Sequence, residues 1–245
     1  MYNFFINERQ KNADCVVISG ADFNHIKNVL RMQKGDELVV SVNGKSDLCE
    51  IKLFKDETVV VKIIEENYKN TELKTNIFLF QGLPKSDKME FIIQKAVELG
   101  VDGVIPVEMN RCVVKLDEKK KNSKQTRWQA IAESAAKQSK RNTVPTVFDV
   151  LSYKDALEKA NELDMLIVPY ENENGMVETK KVLDELCNCS SVGILIGPEG
   201  GFDEKEIDLA KQFGGRIISL GKRILRTETA AITAVSMCML NIEMN

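Results

Sequence analysis

Ile196-Gly197-Pro198-Glu199-Gly200-Gly201-Phe202 and Leu220-Gly221-Lys222-Arg223-Ile224-Leu225-Arg226-Thr227-Glu228-Thr229-Ala230-Ala231 are the two stretches whose reading decides the fold. Each follows an apolar run, residues 192–196 and 216–220, that reads as a buried strand, and each precedes a helical pattern. Open α/β sheets bind ligands outside the carboxyl ends of their strands, which is where both stretches fall. Neither contains G-x-G-x-x-G or G-x-x-x-x-G-K-[ST], which argues against a Rossmann dinucleotide site and a P-loop. The three glycines of the first loop let backbone amides approach a ligand closely. Taken alone, that loop also reads as a tight turn into an N-cap at Asp203. Arg223 and Arg226 admit two readings, surface ion pairs or a site for an anionic substrate or developing oxyanion. Together the loops suggest a nucleoside cofactor held by backbone beside a pair of arginines.

Working outward, strands are expected at residues 76–81, 103–107, 146–148, 165–169, 192–196 and 216–220. The helices between them carry start signals. Asp87 with Glu90 reads as a capping pair, and Met89, Ile92, Ile93, Ala96 and Val97 form an apolar face ending at Gly100. Ser152 with Asp155 and Asp203 with Glu206 repeat the device. Trp128, Ile131, Ala132 and Ala135 make another helical stripe, and a final helix of small and apolar residues runs to about Leu240. Such alternation implies a parallel sheet with helices on both faces. The first part of the chain differs. Short strand-like runs recur at residues 4–6, 16–18, 37–42, 47–54 and 58–65, with the hairpin signal Asn43-Gly44 between two of them. One short helix is expected at residues 22–30, capped by Asp22. Residues 67–75 are polar and read as a linker, giving a small β-rich domain at 1–70, barrel-like in pattern, and an α/β domain at 76–245.

The 245 residues are 43% hydrophobic and 29% charged, the balance of a soluble globular protein. The start lacks a signal-peptide pattern, and no apolar run is long enough to span a bilayer. Six cysteines show no paired framework and read as reduced thiols in a cytoplasmic protein. A single histidine, His25, argues against a histidine-based metal site, and no metal is expected. The net charge is −3, but residues 111–141 hold ten lysines and arginines against three acids. Residues 147–190 hold ten acids against four bases. The basic block reads equally as a solvated face or as a surface for phosphates.

The two loops, His25-Ile26-Lys27-Asn28-Val29-Leu30-Arg31, Lys85-Ser86-Asp87-Lys88-Met89-Glu90, the segment from Gln94 to Gly100, Arg111, Arg127-Trp128 and the segment from Glu133 to Arg141 occur in one order along nearly the whole chain. In this the sequence resembles the bacterial 16S ribosomal RNA uridine-N3 methyltransferases, the small-subunit methyltransferase E family. The resemblance implies a SPOUT-type parallel sheet with a carboxyl-terminal trefoil knot and a small amino-terminal PUA-like β-barrel that holds RNA. It implies S-adenosyl-L-methionine as cofactor, 16S ribosomal RNA of the small ribosomal subunit as partner, and a homodimer with its active site at the interface. The implied cofactor residues are Val168, Pro169, Ile196, Gly197, Pro198, Glu199, Gly200, Gly201, Ser219, Leu220, Gly221, Ile224, Leu225, Thr229 and Ala230. Arg9, His25, Arg31, Lys85, Lys88, Arg111, Lys137, Lys140 and Arg141 are the implied RNA contacts.

Methylation of uracil N3 requires the deprotonated base, whose negative charge spreads onto O2 and O4. Arg226, with Arg223 as second choice, is the expected partner for that charge. Glu228 reads either as proton acceptor or orienter of Arg226, or as ordinary complement to a helix dipole. The competing activities are a SPOUT ribose 2′-O-methyltransferase, whose last motif differs from Arg226-Thr227-Glu228-Thr229-Ala230, and a ribosome assembly factor without chemistry.

Overall fold

Val16, Ile18, Leu38, Val40, Ile51, Val59 and Val61 mostly alternate with less buried neighbours, the period of a half-buried strand, and all are buried. They build the smaller of two units, Met1–Glu72 with Ala136–Val144; the larger is Leu73–Ala135 with Pro145–Asn245. The computed structural model describes residues 1–171 and 176–245.

In the smaller unit, β1 (Asn3–Phe5), β2 (Cys15–Ser19), β3 (Glu37–Val42), β4 (Lys45–Lys55) and β5 (Thr58–Glu65) pair in the order β1-β3-β4-β5-β2. The β3–β4 hairpin turns on Asn43 and Gly44, both at positive φ, 50° and 76°, as a tight right-twisted hairpin demands. Register shifts in β4–β5 at Leu48/Cys49 and Ile51/Leu53 curl the sheet around its core. Its helix begins earlier than expected. The strand β2 ends at Ser19, and α1 (Gly20–Asn24) starts at once, continued by a π-helical turn over His25–Val29. Asp22 is therefore inside the first turn rather than at the cap, and its carboxylate pairs with Lys137 at 3.2 Å.

The segment Ala136–Val144 closes this unit through Glu72. Arg141 is 3% exposed, and its guanidinium is hydrogen-bonded to the Glu72 carboxylate. Glu72 also accepts from the backbone of Asn142 at 2.6 Å and the hydroxyl of Thr143 at 3.0 Å. Burial would push the Glu72 carboxyl up, but Arg141 and these donors outweigh it and hold it below its ordinary value. Arg141 is thus a structural cation. The expectation that it faces phosphates is corrected, because its charge is buried and matched within the fold.

In the larger unit all sheet neighbours are parallel. Its elements are β6 (Asn76–Gly82), α2 (Lys88–Glu98), β7 (Gly103–Glu108), α3 (Glu118–Ser139, whose last turn belongs to the smaller unit), β8 (Thr146–Val147), β9 (Leu151–Ser152), α4 (Tyr153–Ala160), β10 (Met165–Pro169), α5 (Val177–Leu186), β11 (Ser191–Ile196), α6 (Glu204–Gln212), β12 (Arg216–Ile218) and α7 (Thr227–Met244). The order is β12-β10-β11-β6-β7-β8, with β9 also on β7. The continuous apolar runs of β6, β7, β10 and β11 are buried, as strands covered on both faces require.

The helix termini mostly follow their signals. Asp203 and Glu206 form a reciprocal capping box, and Ser152 accepts from the Asp155 amide. After α2, Gly100 at φ 97° lets its amide reach Val97 and the Val101 amide reach Ala96, closing the helix end. Asp87 occupies the cap position of α2 but makes no side-chain cap bond, because its backbone (φ −92°, ψ 4°) is not extended. The two-residue β9 is too short to show a period. The last strand stops at Ile218 because Ser219 turns to the hydroxyl of Thr179. Among the described residues no helix is long and apolar enough to cross a membrane.

Glu72→Gln strands the Arg141 charge and is expected to cost about 3 kcal/mol near neutral pH. A carboxyl with a lowered folded pKa stabilises fully above its unfolded value, 4.5, and that stability fades as pH falls through the lower folded value. Urea titrations from pH 7 to about 3 should therefore show the deficit of Glu72→Gln shrinking in acid. A deficit independent of pH rejects the assignment.

Candidate active site

Because β12, β10 and β11 are neighbours and parallel, the loops leaving their carboxyl ends emerge side by side. They enclose a cavity of about 400 Å³. Pro169, Tyr170 and Glu171 form one wall, and Ile196, Gly197, Pro198, Glu199, Gly201 and Phe202 a second. Leu220, Gly221, Arg223, Ile224, Leu225, Arg226, Thr227 and Ala230 form the third, with Lys88 at the rim.

The walls are fastened by buried polar contacts and by close backbone approach. Gln81, fully buried at the end of β6, donates to the Thr227 hydroxyl at 2.9 Å. Thr227 in turn donates to the carbonyl of Gly197 at 2.7 Å, tying the start of α7 to the first loop. A Cβ on Gly82 would lie 2.7 Å from the Pro198 nitrogen, so only glycine lets the end of β6 touch that loop. Arg111 donates to the Gly200 carbonyl at 3.1 Å, and a Cβ on Gly200 would meet the Arg111 side chain at 2.9 Å. Tyr170 and Phe202 meet edge to face, joining the first and second walls.

Charge is distributed unevenly. Burial would raise the Glu199 carboxyl, but the Lys85 amide, at 3.0 Å, and the Lys88 ammonium outweigh it and hold the group below its ordinary value. Glu199 foremost, then Glu228, hold the Lys88 ammonium above its ordinary value. Arg223 and Arg226 are exposed on the cavity wall, and neither makes an ion pair among the described residues. Both are available to an anion. Arg216, by contrast, is spent on Glu178 and Glu185.

Most residues expected at a cofactor meet here, but four do not line the cavity. Val168 is buried in β10, Ser219 is held by Thr179, Gly200 packs on Arg111, and Thr229 is exposed. Glu228 also lies off the wall, its carboxylate 3.2 Å from Lys88. Of the expected RNA contacts in the larger unit, Lys85 is exposed while Lys88 and Arg111 are engaged with the first loop. In the smaller unit Arg9, His25, Arg31 and Lys140 are exposed, with His25 edge-on to Phe4, and Lys137 pairs with Asp22. The lysine run divides as well, since Lys121 bridges Glu108 and Glu118 while Lys120 pairs with Asp117. Gln81, Gly82 and Phe202 were not among the residues expected at the site. Only Phe202 carried a signal, as the end of the first loop.

A family model described as an RNA methyltransferase domain matches residues 71–239, and one described as an RNA methyltransferase PUA domain matches residues 18–64. Ribosomal RNA small subunit methyltransferase E of Bacillus subtilis is 39% identical, covering 96% of this chain and 95% of its own. The chain belongs to the ribosomal RNA small subunit methyltransferase E family. The family's Mesomycoplasma hyopneumoniae protein is 35% identical over 98% of this chain and 99% of its own. A crystal structure of the Neisseria gonorrhoeae family member bound to S-adenosyl methionine superposes with a TM-score of 0.82 at 32% identity, covering 96% of each chain. These likenesses bear out the expected parallel α/β RNA methyltransferase fold with an amino-terminal PUA domain.

Gly82→Ala forces Pro198 out of its seat and is expected to lower stability by about 1–3 kcal/mol. Thermal unfolding checks this, and an unchanged midpoint would show that the loop can retreat freely.

Proposed function

We propose that the protein transfers a methyl group from S-adenosyl-L-methionine to N3 of a specific uridine in 16S ribosomal RNA, acting in the cytoplasm. The observation that carries this reading is the convergence of Gly197 and Gly221 on one cavity whose wall also bears Arg226. The cavity suits the cofactor. Backbone from three loops can take its polar edges, Ile196, Leu220, Ile224, Leu225 and Phe202 offer apolar faces, and Glu171 and Glu199 offer negative charge to its cationic parts. When bound, S-adenosylmethionine supplies an electrophilic methyl group. The chain's part is to make the acceptor nucleophilic and to hold it. Arg226 donates to O2 or O4 of the uracil and favours the ionised base, whose N3 proton has been given up to solvent before methyl transfer, with Arg223 adding a second cation. Apolar side chains around the cavity exclude water and strengthen that attraction.

The same reading gives a carboxyl-terminal chain that is threaded through the sheet's loops, supported by the lodging of Thr227 between Gln81 and Gly197. It gives a homodimer, supported by Ile224, an apolar cavity residue 84% exposed in the single chain. It assigns RNA holding to the amino-terminal unit, with Arg9, His25, Arg31 and Lys140 at its surface.

The test is incubation with small subunits lacking the modification and S-adenosylmethionine carrying a labelled methyl, followed by mass spectrometry of the RNA. The label should appear on a uracil ring nitrogen; label on a ribose oxygen, or none, rejects the reading. Arg226→Ala should lower turnover at least about a hundredfold while calorimetry shows cofactor binding nearly intact. Near-normal turnover removes Arg226 from the mechanism.

A further inference from the structure

We propose that Lys88 is a positioning residue that fastens two walls of the cavity to each other and does not serve as a phosphate ligand. The proposal rests on the cofactor reading above. Lys88 opens α2, a helix seated by its buried face of Met89, Ile92, Ile93, Ala96 and Val97. Its ammonium lies 3.2 Å from Glu199 on the loop after β11 and 3.2 Å from Glu228 in the first turn of α7. One cation therefore joins the second wall to the first turn of α7, the helix that bears Thr227 and Ala230 of the third wall, alongside the bond from Thr227 to Gly197.

The charge balance makes the link a strong one. The buried Oε2 of Glu228 makes no hydrogen bond among the described residues, and Lys88 is the cation beside it. Without that cation, two carboxylates would face each other and one would keep a desolvated oxygen with nothing to offset it. Glu199 is fixed independently by the Lys85 amide, so the strain would fall on the α7 side and on the segment leading into it. A phosphate at Lys88 would have to compete with both carboxylates. Lys85, exposed three residues earlier, carries no such engagement among the described residues.

The experiment compares the full-length chain with Lys88→Met, Lys88→Arg and Glu228→Gln. Two quantities are read: calorimetric affinity for S-adenosylmethionine, and the salt dependence of affinity for a 16S ribosomal RNA transcript. Lys88→Met should weaken cofactor binding about tenfold, and Lys88→Arg should restore it to within about threefold, since the charge and reach are kept. The slope of log RNA affinity against log salt should not change. Should Lys88→Met fail to fold, Glu228→Gln carries the same expectation of weakened cofactor binding. Unaltered cofactor affinity, no rescue by arginine, or a salt slope shallower by about one, the mark of a lost phosphate contact, each overturns the proposal. Failure of the unaltered chain to bind S-adenosylmethionine would fall on the cofactor reading instead.

Discussion

Everything at the cavity depends on parallel pairing in the order β12-β10-β11. Parallel strands release their chain at the same edge, so three segments far apart in sequence are delivered to one place. Antiparallel pairing of any of the three would send one loop to the opposite edge and leave the cavity with two walls. Burial alone does not set the register, because these strands are apolar on both faces and a slip would expose neither face preferentially to water. Specificity of pairing then comes from the helices between strands and from the polar contacts at the strand ends.

Those end contacts are few and directional. Gln81 can only donate to Thr227 here, since the Thr227 hydroxyl spends its proton on Gly197. The result is a one-way chain of donors running from the end of β6 through α7 to the first loop. Arg111 and the missing side chains at Gly82 and Gly200 add steric definition without adding charge to the cavity interior. The cations left over on the wall, Arg223 and Arg226, are then held beside a surface that is otherwise apolar or acidic.

Long, strongly apolar strands and reciprocal caps were legible in the sequence, because each is written in neighbouring residues. Strands over residues 76–81, 165–169 and 192–196 and the box at Asp203 and Glu206 are of this kind. The convergence of the loops at Gly197 and Gly221 was legible from their place at strand ends. What escaped was set by partners distant in sequence. Nothing around Gln81 announces Thr227, and nothing around Lys88 announces Glu228. Arg141 looked like part of a basic surface because its neighbours are basic; only the fold shows Glu72 beneath it. Asp22 misled for the opposite reason, since a good capping residue sat three positions too late for a chain that turned directly at Ser19.

The closure of the smaller unit by Ala136–Val144 means that it is discontinuous along the chain. A fragment cut at the polar linker would carry Glu72 away without Arg141, Asn142 or Thr143, and would leave Asn3 without the Arg141 carbonyl it binds. The amino-terminal part is therefore not a detachable module. Any exchange of it between relatives, by recombination or by engineering, must bring along a short piece encoded more than sixty positions downstream of its apparent end, which ties the inheritance of one unit to that of the other.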